Sequence, residues 1–249
     1  MSVLEVRNLS KRFGSLVAVR DISLSVESGE LRAVIGPNGA GKTTFFNLIS
    51  GFLPPSAGSI LFDGRDVIGV PPHRRVGLGI ARTFQITEIF PELTVFENIR
   101  IVTEVAAGYR LCPWLGAAEK AEVRRRIDET LALAALSGKA GRLVGELAHG
   151  DQRAAEIAMA LALKPRLLLL DEPTAGMGDQ ETYEITQLIR RLHRDRKLTI
   201  VLIEHDMRVV FHLADRITVL DQGSFLAEGT PQEIAANEAV QTAYLGQAA

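Results

Sequence analysis

Along the first part of the chain, apolar residues recur with a period of two. Ile22, Leu24 and Val26 alternate with Ser23, Ser25 and Glu27, the pattern of a half-buried strand. Ser28-Gly29-Glu30 reads as a turn, and Leu31–Ile35 is a short apolar run that ends at Gly36. The first 35 residues are therefore expected to form strands. Over Lys42–Ser50 the residues favour a helix, which Gly51 and Pro54-Pro55 stop. Residues 59–62 with Asp63-Gly64 read as a further strand and turn.

The middle of the chain has a different period. Across residues 117–136, Val123, Ile127 and Leu131 recur every fourth position among Arg124, Arg125, Asp128 and Glu129. That predicts an amphipathic helix ending near Gly138. A second helix is expected over 152–163, stopped by Lys164-Pro165. A helical lobe, about 86–163, thus interrupts an α/β domain, and the α/β pattern then resumes. Residues 166–171 and Thr199–Ile203 read as buried strands, 180–194 and Met207–Leu213 as helices, and 216–220 with 224–227 as a hairpin around Asp221-Gln222-Gly223. Thr230, Pro231 and Glu233 form a capping box for a last helix running toward Tyr244.

Composition narrows the class. The chain has 249 residues, a formal charge of −2 and one cysteine, Cys112. A disulfide scaffold needs paired cysteines, and a disordered chain needs low hydrophobicity and high net charge. The near-neutral balance disfavours a strongly basic nucleic-acid binder. The length suits one domain with an inserted lobe. The longest apolar runs, Leu167 to Leu170 and Thr199–Ile203, fall far short of the roughly 18–20 residues that cross a bilayer. The N-terminus carries charges where a signal peptide has its apolar core. The chain is expected in the cytoplasm, or at a membrane through a partner.

Two segments carry the chemistry. Gly36-Pro37-Asn38-Gly39-Ala40-Gly41-Lys42-Thr43 fits G-x-x-x-x-G-K-[ST] between an apolar strand and a helix, and Thr44 follows on that helix. Glycines let backbone N–H groups approach a polyphosphate, and the helix N-terminus favours negative charge. Lys42 is expected to reach the β- and γ-phosphates and the Thr43 hydroxyl to hold Mg²⁺. The run Leu167-Leu168-Leu169-Leu170 delivers Asp171 and Glu172 to the carboxyl end of a strand, where open α/β sheets bind ligands. Asp171 is expected in the Mg²⁺ shell, and Glu172 is expected to orient or deprotonate the attacking water.

A third motif, Leu147-Ala148-His149-Gly150-Asp151-Gln152-Arg153, resembles the signature of ABC (ATP-binding cassette) ATPases. With Gln85, Asp171-Glu172-Pro173-Thr174 and His205, the order of motifs is similar to that family over essentially the whole chain. The resemblance implies a P-loop NTPase fold with a RecA-like core, an N-terminal antiparallel β subdomain and an inserted α-helical subdomain. Its core would cover 1–85 and 164–230, the signature lobe 86–163 and a C-terminal helix 231–249. It also implies that Phe13 stacks on adenine, that Gln85 senses Mg²⁺ and the γ-phosphate, and that His205 contacts the γ-phosphate. Ala148, His149, Gly150, Asp151 and Gln152 would cover the nucleotide held by a second cassette. Two subunits would then close on ATP head to tail.

Two departures from the family pattern are visible. Ala148 stands where Ser is usual, and losing that hydroxyl weakens a hydrogen bond to a charged group by about 1.5–3 kcal/mol. Gly178 stands where Asp or Asn is common. The L-A-[HY]-G form of the signature resembles the branched-chain (hydrophobic) amino-acid uptake branch. Ala81-Arg82-Thr83-Phe84-Gln85, Ile203-Glu204-His205-Asp206-Met207 and the ending Ala243-Tyr244-Leu245-Gly246 are similar to it too. That branch implies the partners: a second cassette as hetero- or homodimer, two transmembrane permease subunits, indirectly a solute-binding protein, and no nucleic acid. It places the chain on the cytoplasmic face of the cell membrane, with residues 86–98, including Phe90, Leu93 and Phe96, forming the groove that receives the permease. Arg124-Arg125-Arg126 is read as a solvated helix face rather than a lipid contact, because acids are interleaved. The other readings are a urea or amide importer, a lipopolysaccharide exporter, and a non-transport cassette.

Overall fold

The computed structural model describes residues 2–83, 89–109 and 116–245. The chain begins with β1 (Ser2–Phe13), β2 (Leu16–Glu27), β3 (Leu31–Ile35), α1 (Lys42–Ser50), β4 (Ala57–Phe62), β5 (Arg65–Asp66), α2 (Pro72–Leu78) and β6 (Ile80–Arg82). Three longer helices follow: α3 (Val95–Ala106), α4 (Ala117–Leu133) and α5 (His149–Ala162). The chain then forms β7 (Leu167–Asp171), α6 (Asp179–Arg196), β8 (Thr199–Ile203), α7 (Met207–Leu213), β9 (Arg216–Asp221), β10 (Ser224–Gly229), α8 (Pro231–Ala235) and α9 (Glu238–Leu245).

Two sheets result. Strands in the order β2-β1-β4-β5 form an antiparallel sheet, and β10-β9-β3-β8-β7-β6 form a second. In the second, β9, β3, β8, β7 and β6 run parallel and β10 closes one edge antiparallel. Its strands are covered on both faces, which is why they read as apolar runs rather than alternations. Leu167 and Leu169 of β7 join the core with α1 and the antiparallel sheet. Leu168 and Leu170, on the other face, join the core with α5 and α6.

Helices α3, α4 and α5 form the expected lobe, with Val123, Ile127 and Leu131 buried. The arginine run of α4 is a solvated face: Arg124 pairs with Asp128, Arg125 with Glu122 and Glu129, and Arg126 with Glu122. The single last helix expected from residue 231 is two helices, α8 and α9, separated by Ala236 and Asn237, and two helix ends also differ from the sequence pattern. Helix α4 ends at Leu133 rather than near Gly138. Ala135 takes the left-handed conformation (φ 59°) and Leu136 N donates to Leu131 O at 2.8 Å. This is a Schellman-type end, and it turns Leu136 into the core. Helix α5 begins at His149 rather than at Gln152, so the signature residues themselves form its first turn. Among the described residues no helix is long and apolar enough to cross a membrane.

Candidate functional site

The glycine-rich loop leaves the end of β3, which parallel pairing with β8 and β9 holds in the middle of the sheet. A Cβ at Gly36 would lie 2.1 Å from the Leu220 carbonyl oxygen, so only glycine fits there. The loop is tied to the β9–β10 turn by Gly223 N donating to Ala40 O at 3.2 Å. Pro37 and Ala40 are buried, while Asn38, Gly39 and Thr43 are exposed at the mouth and Thr44 is half-buried. Gly41, left-handed at φ 91°, is the N-cap of α1 and makes no side-chain cap bond. The first N–H groups of α1 therefore face the loop, the arrangement that binds anions. Lys42 Nζ donates to Gly36 O at 2.7 Å and Pro37 O at 3.0 Å. Burial lowers its pKa from the ordinary lysine value, while the nearby Glu172 and Asp171 carboxylates act in the opposite direction.

Those carboxylates stand at the end of β7. Asp171 is buried, and its Oδ2 accepts from Arg82 Nη2 at 2.9 Å. Glu172 follows in the left-handed conformation at φ 46°, an uncommon backbone state that costs about 1–3 kcal/mol and concentrates at functional sites. Its N–H donates to Ile203 O of β8 at 2.9 Å. His205 emerges just past β8, with a largely exposed side chain whose Nδ1 lies 3.9 Å from Glu172 Oε2 and 3.8 Å from Glu204 Oε2. Lys42, Asp171, Glu172 and His205 thus converge at the carboxyl ends of β3, β7 and β8. An ammonium, two carboxylates and an imidazole beside a cradle of N–H groups can hold a polyphosphate and accept a proton from water.

The remaining predicted residues fall in different places. Ala148 is the N-cap of α5 and, having no hydroxyl, makes no cap bond. Ala148 and His149 are exposed, and Gly150 is half-buried. Gly150 N donates to Glu181 Oε1 of α6 at 2.9 Å. That bond, and a second from Gly178 N, hold the Glu181 carboxyl below its ordinary range. Asp151 pairs with Lys139 at 2.5 Å, and the Gln152 amide folds back to donate to Leu147 O at 3.0 Å. Phe13 is exposed at the end of β1, with Lys11 Nζ 5.1 Å from its ring centroid. Gln85, Cys112 and Gly246 lie outside the described residues, as do residues 86–88 of the expected permease groove.

Three residues around the site stand inside the sequence motifs, which give them no role of their own. Arg82 bonds Asn47 Oδ1 (2.7 Å) and Ser50 Oγ (2.8 Å) as well as Asp171, and so joins α1, β6 and β7. Arg153 reaches from α5 to the carbonyl of Asp171 at 2.7 Å. Glu204 accepts from Thr174 N at 3.0 Å. The available signal was a charge beside an apolar run: Arg82 after Ile80-Ala81, Arg153 before Ala154-Ala155, and Glu204 after Thr199–Ile203.

The "ABC transporter" family model matches residues 19–175, and the "Branched-chain amino acid ATP-binding cassette transporter" model matches residues 226–249. The chain is 41% identical to the high-affinity branched-chain amino acid transport ATP-binding protein BraF of Pseudomonas aeruginosa, over 99% of this chain and 98% of that one. It is likewise 41% identical to LivG of Escherichia coli K12, described in the same words, with the same coverage. Among solved structures, it superposes on the ADP conformation of MJ1267, an ATP-binding cassette of an ABC transporter, with TM-score 0.86, 30% identity and 99% of each chain covered. A dimeric post-hydrolysis state of the cassette MJ0796, bound to ADP and Pi, aligns with TM-score 0.76 and 26% identity over 92% of this chain and 98% of that one. The chain therefore belongs to the ABC transporter family, as an ATPase cassette among the branched-chain amino acid transport ATP-binding proteins.

Proposed function

We propose that this cassette powers the uptake of branched-chain or related hydrophobic amino acids, by closing on ATP against a second cassette at the cytoplasmic face of the membrane. The observation that carries the reading is the convergence of Lys42, Asp171, Glu172 and His205 at the carboxyl ends of neighbouring strands, with His205 Nδ1 3.9 Å from Glu172 Oε2. Residues 36–44 cradle the phosphates, and Lys42 neutralises them. Glu172 takes the proton of the attacking water as its oxygen bonds to the γ-phosphorus and the bond to the β-bridging oxygen breaks, giving ADP and phosphate. His205 and Gln85 orient the γ-phosphate and the water. Thr43 and Asp171 offer the hard oxygen ligands that suit Mg²⁺, which takes one or two protein groups beside phosphate and water. When bound there, Mg²⁺ supplies charge neutralisation at the β- and γ-oxygens. Asp171 would exchange its Arg82 partner for that role.

Residues 148–152 cover the nucleotide of the second cassette. The first turn of α5 supports this: Ala148 offers no side-chain cap to compete for its N–H groups, and the Gly150 N–H would exchange Glu181 Oε1 for a γ-phosphate. Two permease subunits dock beside α3. There Phe90, Ile101 and Val105 are exposed, and the buried Asn98 amide holds the 90–94 loop through Phe90 N (2.8 Å), Phe90 O (3.0 Å) and Thr94 O (3.0 Å). Affinity purification of the tagged chain from solubilised membranes tests the assembly. The expected companions are two permease chains, a second cassette and an amino-acid-binding protein. Ribosomal or chromosomal companions in their place overturn the transport reading.

A further inference from the structure

The strained turn that carries Glu172 is gripped from two sides by buried charged side chains. On the side of α5, Arg153, 3% exposed, donates through Nη2 to Asp171 O at 2.7 Å and Glu172 O at 3.2 Å, and through Nε to Pro173 O at 3.3 Å. Its Nη1 pairs with Glu156. On the other side stands Glu204, 1% exposed. Glu204 Oε1 accepts from Thr174 N at 3.0 Å and from the Thr174 hydroxyl. Its Oε2 accepts from His205 N at 3.0 Å and Asp206 N at 3.4 Å. One carboxylate therefore spans two loops, the one after Glu172 and the one that begins with His205.

A buried carboxylate is costly unless its lone pairs are filled. Here four donors fill them, and three are main-chain N–H groups in the two segments that carry the candidate catalytic groups. The His205 side chain is 65% exposed, so neighbouring side chains do little to fix it. Its position follows from its main chain, which Glu204 holds. Glutamine has nearly the same shape but only one oxygen. Its amide NH₂ would face donors on one of the two loops, and that loop would come loose.

We propose that Glu204 is a positioning residue for ATP hydrolysis, fastening the 171–174 turn to the His205 loop so that Glu172 and His205 keep a fixed separation, with Arg153 as the opposite brace. The inference rests on the reading of Glu172 and His205 as the groups that act on the water and the γ-phosphate. Glu204 touches neither phosphate nor water in this scheme; it acts through the geometry of those two residues. Misplacing a catalytic group by an ångström costs up to about a hundredfold in rate, without removing any contact that binds the nucleotide.

The test is kcat at saturating Mg-ATP in the assembled transporter, set beside ATP affinity measured with a fluorescent ATP analogue. Glu204→Gln is expected to lower kcat by roughly ten- to a hundredfold and to leave ATP affinity within about twofold, because the phosphate loop is untouched. Thr174→Val removes one donor and is expected to lower kcat less, also at constant affinity. The double variant should be no slower than Glu204→Gln alone, since Thr174 acts through Glu204. A wild-type kcat in folded Glu204→Gln overturns the proposal, as does an affinity that falls in step with kcat. If Glu204→Gln fails to fold by circular dichroism, Thr174→Val decides: lower kcat at unchanged affinity supports the proposal, and unchanged kcat defeats it. Glu172→Gln and His205→Ala separate the two levels. Wild-type turnover in both removes the catalytic pair itself. Loss of turnover in both, with normal kcat in the Glu204 and Thr174 variants, removes only the brace.

Discussion

Two glycines of the phosphate loop are required for different reasons, and alanine substitution separates them. Gly39 and Gly41 both take left-handed conformations, at φ 79° and 91°. A side chain pays roughly 1 kcal/mol or somewhat more for that state. Around Gly39 a Cβ would meet nothing within 4 Å, whereas at Gly41 it would lie 2.4 Å from the Ala18 carbonyl oxygen. Ala18 sits in β2, which pairs along its length with β1, so that oxygen cannot retreat cheaply. Gly39→Ala should therefore cost about 1 kcal/mol, a fall of roughly 2–4 °C in Tm for a domain of this size. Gly41→Ala adds an overpacking cost of about 1–3 kcal/mol, and its Tm should fall at least twice as far. Nucleotide reverses the ranking of interest. The open space at Gly39 is where the phosphates would sit, so its new methyl group displaces ligand rather than protein. ATP at about a hundredfold above its Kd stabilises a protein by about 2.7 kcal/mol, and Gly39→Ala should lose most of that gain. Thermal unfolding followed by circular dichroism, with and without Mg-ATP, measures both quantities. The reasoning fails if the two variants melt together, or if Gly39→Ala keeps the full shift with ATP.

Other expectations concern single contacts. Lys42→Ala removes the ammonium facing the phosphates, and ATP affinity should fall at least tenfold, in line with about 1.5–3 kcal/mol for a hydrogen bond to a charged group; unchanged binding by calorimetry would remove the phosphate-loop assignment. Gly150→Ala places a Cβ 3.1 Å from Glu181 Cβ, so it should weaken the α5–α6 contact and slow ATP turnover more than it lowers Tm, which paired rate and melting measurements would reveal. In the capping box of α3, the Thr94 N–H and then its hydroxyl hold the Glu97 carboxyl below its ordinary value of 4.5. That stabilisation is complete above pH 4.5 and is lost as pH falls through the lowered pKa. Glu97→Gln should therefore flatten the acid limb of the stability curve, and an unchanged slope would show that the box contributes nothing.

Much of this molecule was legible in its sequence because local patterns and long-range packing agree. The run Leu167 to Leu170 is apolar at every position because β7 is buried on both faces, and a run of that kind leads the reader to the acids at its end. The phosphate loop is read from spacing alone, although the distant carbonyls of Leu220 and Ala18 are what require glycine at Gly36 and Gly41. What escaped was polar chemistry in apolar surroundings. Helix α2 contains Arg75, to which the sequence pattern assigns no place. It is buried, and it donates to the carbonyls of Leu48 (2.9 Å), Val67 (2.6 Å) and Val70 (2.9 Å), as well as Ile49. Arg82, Arg153 and Glu204 escaped for a related reason: each has a partner far along the chain, the Asp171 carboxylate, the Asp171 carbonyl and Thr174 in turn, which no local window contains. The end of α4 was misread because Ala135 takes a conformation that usually calls for glycine, and the burial of Leu136 outweighs that preference.

The central claim is that the phosphate loop of one cassette and the signature turn of another close around ATP, with Glu172 needed to reopen them. Light scattering on Glu172→Gln with Mg-ATP measures this directly. The account predicts a stable pair, formed by the chain alone or with a second cassette, that appears with ATP and is absent without it. Monomers at saturating ATP, with that second cassette present, would contradict the account.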